Sequence, residues 1–589
     1  MRRHRYARWG LSQTASLTIL LGVLVVPVLA QEKKDGPAPA AKSEVPAQPA
    51  PEAAPATVTA AAPAAPADPT ATPVAPDSTG SGYTGGSSAT AALTRDNGKI
   101  TPETLARDVK NLRMGMNIFW ALVTGFLVMF MQSGFALLET GLCRAKNVAH
   151  TMSMNFVIYA TGMLGFWICG FAFMAGGWGP VLAFDGPNVL DKLASITLGG
   201  KAFEFLGYKG FFLTGAANDA TVLTLFLFQM VFMDTAATIP TGAMAERWKF
   251  SSFVVYGFFM SMVLYPVYGC WVWGGGWLAD LGVNFKLGNG HVDFAGSSVV
   301  HMTGGLCALA GAIKLGPRIG KFNKDGTPNA IPCHNIVQVV LGTLILAFGW
   351  FGFNPGSSLA ATDLRISSIA VCTMLATASG CLTSVLYMWA VYGKPDPTMG
   401  CNGLLAGAVA ITAPCAFVNP VGAVIIGTVA GLLVIWAVLF VERVLKVDDP
   451  VGAVAVHGVN GAWGCLALGL FSTGEYGAGW NAVTTPVTGL FYGGGFSQLM
   501  AQFVGVGANL LWVFPSAYLF FTLTDVLMGN RVSARAEIEG LDIHEMGLAG
   551  YVNEDTVAVQ IAGQEHLSSY GPGVPARKTS DKEVPVGRM

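Results

Sequence analysis

The chain has 589 residues, of which 52% are hydrophobic and only 12% are charged, with a formal net charge of −1. Soluble domains carry about 25% charged residues, so this composition excludes an ordinary soluble protein. The near-zero balance also removes any electrostatic case for a nucleic-acid partner. The 10 cysteines lie between Cys143 and Cys465, within or beside apolar segments and without metal-ligand spacing. They read as packing residues with no disulfide framework.

In chain order, Arg2, Arg3, Arg5 and Arg8 precede the short apolar run LTILLGVLVVPVL, which ends at Val28-Leu29-Ala30. That order predicts a secretory signal peptide over 1–30, with an uncleaved anchor helix as the alternative. Residues 31–92 are rich in Ala and Pro, with Gly and Ser at their end, and cannot bury a core. A disordered extracytoplasmic linker is therefore expected over 31–112, a membrane domain over 113–529 and a cytoplasmic tail over 530–589.

Within the membrane domain the apolar segments fall at 116–141, 151–176, 219–245, 250–279, 293–314, 332–353, 366–392, 400–418, 421–442, 450–472 and 496–526. Runs such as AVIIGTVAGLLVIWAVLFV (Ala423–Val441) match the roughly 20 residues that a membrane helix needs. The 74 glycines suit close helix packing in a bilayer. Basic residues cluster in alternate loops: Arg144 and Lys146, Arg247 and Lys249, Lys314 to Lys324, Lys394, then Arg443 and Lys446. The other loops are poorer, with Lys192, Lys201 and Lys209 in one long loop, then Lys286 and Arg365. The basic side is expected to be cytoplasmic, with the N-terminus outside and the C-terminus inside. The expected fold class is an all-α polytopic membrane protein of eleven transmembrane helices.

Segments 5 and 10 open on the same pattern. Asp293 is followed by Gly296 and His301, and Asp449 by Gly452 and His457, so D-x-x-G-x-x-x-x-H occurs twice. Segments five apart run in opposite directions, which predicts a 5+5 inverted repeat plus one extra helix, with its site at the midplane. Eight helical residues rise about 12 Å in a hydrocarbon core about 30 Å thick. Both histidines are therefore expected near the middle of the membrane, arriving from opposite faces.

The aspartates lie two turns from the histidines and do not reach them. Asp449 suits an N-cap, with Pro450 at the first helical position. Asp293 either caps segment 5 or helps to stabilise a cation at the mouth. Two histidines without a third ligand make a poor zinc site, so neither metal nor cofactor is expected. No nucleophile–base pair or phosphate loop is present, which argues against an enzyme. Glu139 and Asp234 are intramembrane carboxylates expected to be paired or packed inside the bundle.

Aromatic residues supply the rest. Phe228 and Phe232 are four apart, on one helix face. Trp271, Trp273 and Trp277 close segment 4, while Phe348, Trp350, Phe351 and Phe353 close segment 6, followed by Ser357. Aromatic faces with a hydroxyl suit a small cation, although an interfacial aromatic belt accounts for many such rings.

The runs GFALLETGLCRAKN, FQMVFMDTAATIPTGAMAERWKF, WVWGGGWLA, DFAGSSVVH, GWFGFNPGSS and VHGVNGAWG make the chain from Met114 to Tyr551 resemble the ammonium transporters of the Amt/Mep/Rh family, on the Amt side. The resemblance implies a homotrimer with one pore per subunit, in the cell inner membrane, serving nitrogen uptake. It implies a substrate-binding site at Phe232, Trp273 and Ser357, with Asp293 as the cation-stabilising aspartate. It implies a phenylalanine gate of Phe232 and Phe353 with Phe228 beside them, and pore histidines His301 and His457. Ammonium would lose a proton at the mouth, and neutral ammonia would pass along the imidazoles. Arg531–Tyr551 is similar to the family's cytoplasmic tail, which in bacterial relatives couples to PII signalling proteins. An ammonium sensor signalling through that tail is the alternative, although the 38 residues after Tyr551 are too few for a fused output domain.

Overall fold

A computed structural model describes residues 96–476, 481 and 483–551. The expected signal peptide, the linker up to 95 and the tail beyond 551 lie outside the described residues. The described residues of the main compact unit fall within 96–386 and 396–551, and the packing below is within it. Of the other unit, Tyr387–Pro395 is the end of a helix and the bend after it.

Among the described residues, ten helices are long and apolar enough to cross a membrane. They are α1 (Pro102–Leu142), α2 (Ala145–Ala175), α3 (Ala220–Met244), α4 (Phe250–Val272), α5 (Ser297–Leu315), α6 (Ile336–Ser358), α7 (Ile366–Tyr392), α9 (Pro420–Arg443), α10 (Val454–Phe471) and α11 (Ser497–Met528). Between α7 and α9, the segment expected at 400–418 forms α8 (Pro397–Thr412), of only 16 residues. Pro414 explains the early stop, because it has no N–H to donate to the Ala410 carbonyl and so breaks the helical ladder.

Helix α1 begins inside the stretch expected to be linker. Thr101 and Thr104 form a reciprocal capping pair, with Pro102 in the first turn, and that local chemistry starts a helix before any apolar run does. One β element also appears. Leu193–Leu198 (β1) pairs antiparallel with Lys201–Gly207 (β2) in the loop between α2 and α3. Gly199 and Gly200 both have positive φ, 58° and 76°, as a tight two-residue hairpin requires.

The most enclosed helices carry Phe228, Phe232, His301 and His457. Over their most apolar windows, α3 and α5 are each 83% buried and α10 is 67% buried, against 22% for α11. Small residues let α5 and α10 touch. A Cβ on Gly305 would lie 2.1 Å from the Gly458 nitrogen, so only glycine fits at Gly305.

The loops rich in arginine are tied together by buried ion pairs. Arg318 forks onto Asp448, with Nε–Oδ2 2.9 Å and Nη2–Oδ1 3.0 Å, and reaches Glu246 at 3.0 Å. Arg144 Nε donates to the same glutamate at 2.7 Å. The tail joins this layer. Arg531 pairs with Glu537 at 2.8 Å, Asn147 Oδ1 accepts from the Leu541 amide, and Asp542 Oδ1 accepts from the His150 amide. Burial alone raises the Asp448 carboxyl, but the Arg318 hydrogen bonds and the Arg247 charge overcome it and hold the group down at about 2. A depressed carboxylate stabilises the fold above its unfolded value near 3.8 and loses that contribution as pH falls towards 2. Asp448→Asn is expected to lower the unfolding temperature at pH 7, because the buried Arg318 keeps only Glu246 as a charged partner, at a cost of about 3 kcal/mol. Thermal unfolding in detergent across pH should show the gap to wild type closing below about pH 4.

Candidate functional site

Local sequence sets each ring in place. The four-residue spacing on α3 stacks Phe228 on Phe232, with centroids 4.7 Å apart. Helix α6 ends in a tight turn through Pro355–Ser358, and the Ser357 hydroxyl turns back to donate to the Phe353 carbonyl at 2.7 Å. Trp273 closes α4, and its indole N–H donates to the Asp293 carbonyl oxygen at 2.7 Å. These segments wall an open cavity whose lining includes Phe228, Phe232, Trp273 and Ser357. Gln229 and Trp178 also line it, and Gln229 Oε1 is buried without a partner. Sequence reasoning passed over both. The signal for Gln229 was a lone amide beside two phenylalanines in FLFQMVF. Trp271 points elsewhere, donating to the Phe205 carbonyl at 3.0 Å, and Trp350 is buried against His301 rather than at the mouth.

The repeated D-x-x-G-x-x-x-x-H is one structural device used twice. Asp293 Oδ1 accepts from the Gly296 and Ser297 amides at 2.9 and 2.8 Å. Its Oδ2 accepts from the Ser298 and Val299 amides at 2.7 and 3.0 Å and from the Ser298 hydroxyl at 2.7 Å. The residue is fully enclosed at 0% exposure and does not line the cavity. Asp449 repeats the cap, accepting from Gly452 at 3.0 Å and Val454 at 2.8 Å. Gly296 and Gly452 turn the chain with φ of 113° and 83°, a conformation that favours glycine. Each histidine then lies in a π-helical turn, Ser297–Met302 or Val454–Val459. Pro450 precedes the helix instead of occupying its first position, because the Gly452 turn lies between them.

The two π-turns bring the imidazoles together. His301 Nδ1 and His457 Nδ1 are 3.2 Å apart. One of them must donate and the other accept, so the rings hold opposite tautomers. One Nε2 is then a donor and the other an acceptor. His301 Nε2 is buried without a partner. The rings form a continuous file. Trp273 to Phe232 is 6.2 Å between centroids, Phe232 to Phe353 4.2 Å, Phe353 to His301 5.3 Å, His301 to His457 5.3 Å and His457 to Phe135 6.1 Å. Beyond the file, a second cavity is lined by Phe135, Glu139, Asn402 and His457 among others.

His291, Asp293 and Cys465 also place their ligand atoms within 4.8 Å of one another. With both Asp293 oxygens taken by the start of α5, that trio serves the helix cap and offers a metal little.

Apolar helices packed around a buried file of rings, with a cavity at each end, define a polytopic membrane protein of the transporter class. The chain belongs to the Ammonium Transporter Family, whose model matches residues 119–551. It is 46% identical to ammonium transporter Amt2 of Archaeoglobus fulgidus over 447 residues, covering 75% of this chain and 90% of the relative. It is 34% identical to ammonium transporter 3 of Dictyostelium discoideum, covering 75% and 95%. Among solved structures it is similar to a sensor Amt protein, with a TM-score of 0.63 and 36% identity, covering 74% of this chain and 99% of that one. It is also similar to Candida albicans Mep2, with a TM-score of 0.59 and 27% identity, covering 71% and 86%.

Proposed function

We propose that this protein moves ammonium, as ammonia and a proton, across the cytoplasmic membrane. Family membership and relatives named as ammonium transporters support the substrate. The observation that carries the mechanism is the file of rings that contains two imidazoles 3.2 Å apart. In this reading Trp273 and Phe232 hold the cation by its charge against their faces, and Ser357 accepts one of its N–H groups. Passing the intact ion along an apolar file carries a desolvation cost of many kcal/mol. Giving up the proton first removes most of it. Neutral ammonia then slips between Phe232 and Phe353, and accepts from and donates to the imidazoles beyond. Asp293 acts through Trp273 and the start of α5. An inverted 5+5 architecture, a homotrimer, an extracytoplasmic N-terminus and a PII contact at the tail belong to the same reading.

The test is purified protein in liposomes, with current and internal pH recorded together and methylammonium as competitor. An ammonium-dependent signal suppressed by methylammonium is expected. A signal indistinguishable from that of empty liposomes would sink the proposal.

A further inference from the structure

The second cavity contains one acidic group, Glu139, on the far side of the histidine pair from the aromatic cavity. Its side chain is 2% exposed and reaches a wall shared with His457 and Asn402. Glu139 Oε2 lies 2.8 Å from Asn155 Nδ2, which donates to it. The Thr241 hydroxyl lies 2.7 Å from the same oxygen and 2.5 Å from the Thr238 carbonyl. A hydroxyl has one proton. It either donates to a Glu139 carboxylate, or donates to Thr238 and accepts from a Glu139 carboxylic acid. One rotation of Thr241 therefore satisfies both protonation states without moving the backbone. The remaining titratable groups around the carboxyl are Asp449, Cys143 and Tyr256. Asp449 is committed to its cap, and Tyr256 donates to the Ala237 carbonyl at 2.8 Å. A buried ionisable group inside a membrane bundle, beside a cavity on the conduction path, is costly without a task.

We propose that Glu139 is the proton-bearing group on the exit side, giving its proton to ammonia as it leaves His457. The proposal rests on the transport reading above. The Glu139 O–H bond breaks and an N–H bond forms, leaving ammonium and a carboxylate. The carboxylate regains the proton released from ammonium at the aromatic cavity, delivered through the His301–His457 contact. The cycle is balanced: one ammonium enters, one leaves, and no other reactant is consumed. Asn155 and Thr241 hold the carboxyl towards the cavity as positioning residues.

The experiment compares wild type, E139Q and E139D as full chains in liposomes, reading ammonium-driven current and internal pH together. E139Q keeps the shape and an acceptor for Asn155, but cannot carry a proton. Its current is expected to fall about a hundredfold, the scale of one lost acid–base group, while slow internal alkalinisation by neutral ammonia persists. E139D, with a carboxyl one methylene shorter, should recover part of the current. A purely structural glutamate would depress both signals together. E139Q running at the wild-type current overturns the proposal, as does a wild type that moves ammonia without charge. Should E139Q lack a cooperative unfolding transition, T241V decides, since it removes the rotating hydroxyl and is expected to reduce current selectively; unchanged current in T241V overturns the proposal. A wild type with no ammonium-dependent signal at all overturns the transport reading instead.

Discussion

Replacing His301 and His457 together by alanine is expected to reduce ammonium-driven current about a hundredfold and to weaken discrimination between ammonium and other small cations. The argument starts from the pair itself. With Nδ1 spent on Nδ1 at 3.2 Å, each ring has only its Nε2 edge left to meet a migrating molecule. Those edges are the polar groups that the described structure offers between Phe353 and Phe135 along the file. Alanine leaves a migrating ammonia with apolar walls and no partner. Two lost hydrogen bonds at about 1.4 kcal/mol each amount to roughly a hundredfold. The singles should not add. Removing either ring destroys the shared Nδ1 contact, so His301→Ala alone should cost most of what the double variant costs. The measurement is current at several ammonium concentrations for the two singles and the double. Independent, multiplicative losses would mean that the rings act separately, and unchanged current and selectivity in the double would end the relay idea.

Much of this arrangement was legible in the sequence, for identifiable reasons. The apolar runs were long, and D-x-x-G-x-x-x-x-H at matched positions in segments 5 and 10 pointed to a meeting of two histidines, which the structure brings within 3.2 Å of each other. The four-residue spacing of Phe228 and Phe232 gave their shared face directly. These features depend on short-range geometry, which a sequence carries well. The residues themselves suggested Trp273 and Ser357 among several mouth candidates, the family resemblance singled them out, and the structure sets both on the wall of one cavity.

What was missed depended on how the chain turns or on where distant segments land. Pro450 looked like a first helical residue, but the positive φ of Gly452 puts a turn between it and the helix. The π-turns at both histidines have no period that a 3.6-residue pattern would reveal. The length of α8 was overestimated because its apolar composition continues past the bend at Pro414. Trp350 read as a mouth residue yet stacks on His301 at 5.4 Å, since helical phase alone does not say which neighbour a ring meets. Glu139 read as a carboxylate paired or packed inside the bundle, and it is buried and hydrogen-bonded to Asn155 and Thr241, but its neighbour across the cavity was not legible. Only the placement of α10 against α1 puts it on the wall that His457 shares.

Asp293→Ala is expected to cost more stability than any change at the cavity wall. The carboxylate accepts five hydrogen bonds at the start of α5. Truncation leaves four amides buried without that acceptor in a site with 0% exposure, while the Ser298 hydroxyl keeps His291 Nε2 at 3.0 Å. At about 1–3 kcal/mol for each unsatisfied group, the sum reaches the whole stability of a typical domain, about 5–15 kcal/mol. The variant should therefore fail to fold, or unfold far below wild type in a detergent melt. Asp293→Asn separates the aspartate's two possible tasks. Its amide oxygen can replace Oδ2, which serves three donors, but its NH2 then faces the Gly296 and Ser297 amides. A cap predicts a large fall in melting temperature for Asp293→Asn, with Ser357→Ala, which alters the cavity wall alone, melting near wild type. A direct role in holding the cation predicts the opposite order: Asp293→Asn would melt as wild type does and lose only ammonium-dependent signal. The placement of both carboxylate oxygens against the backbone, and of the Asp293 carbonyl against Trp273 at 2.7 Å, favours the first outcome. In that case the aspartate reaches the substrate only through the ring it holds in place and the helix it begins.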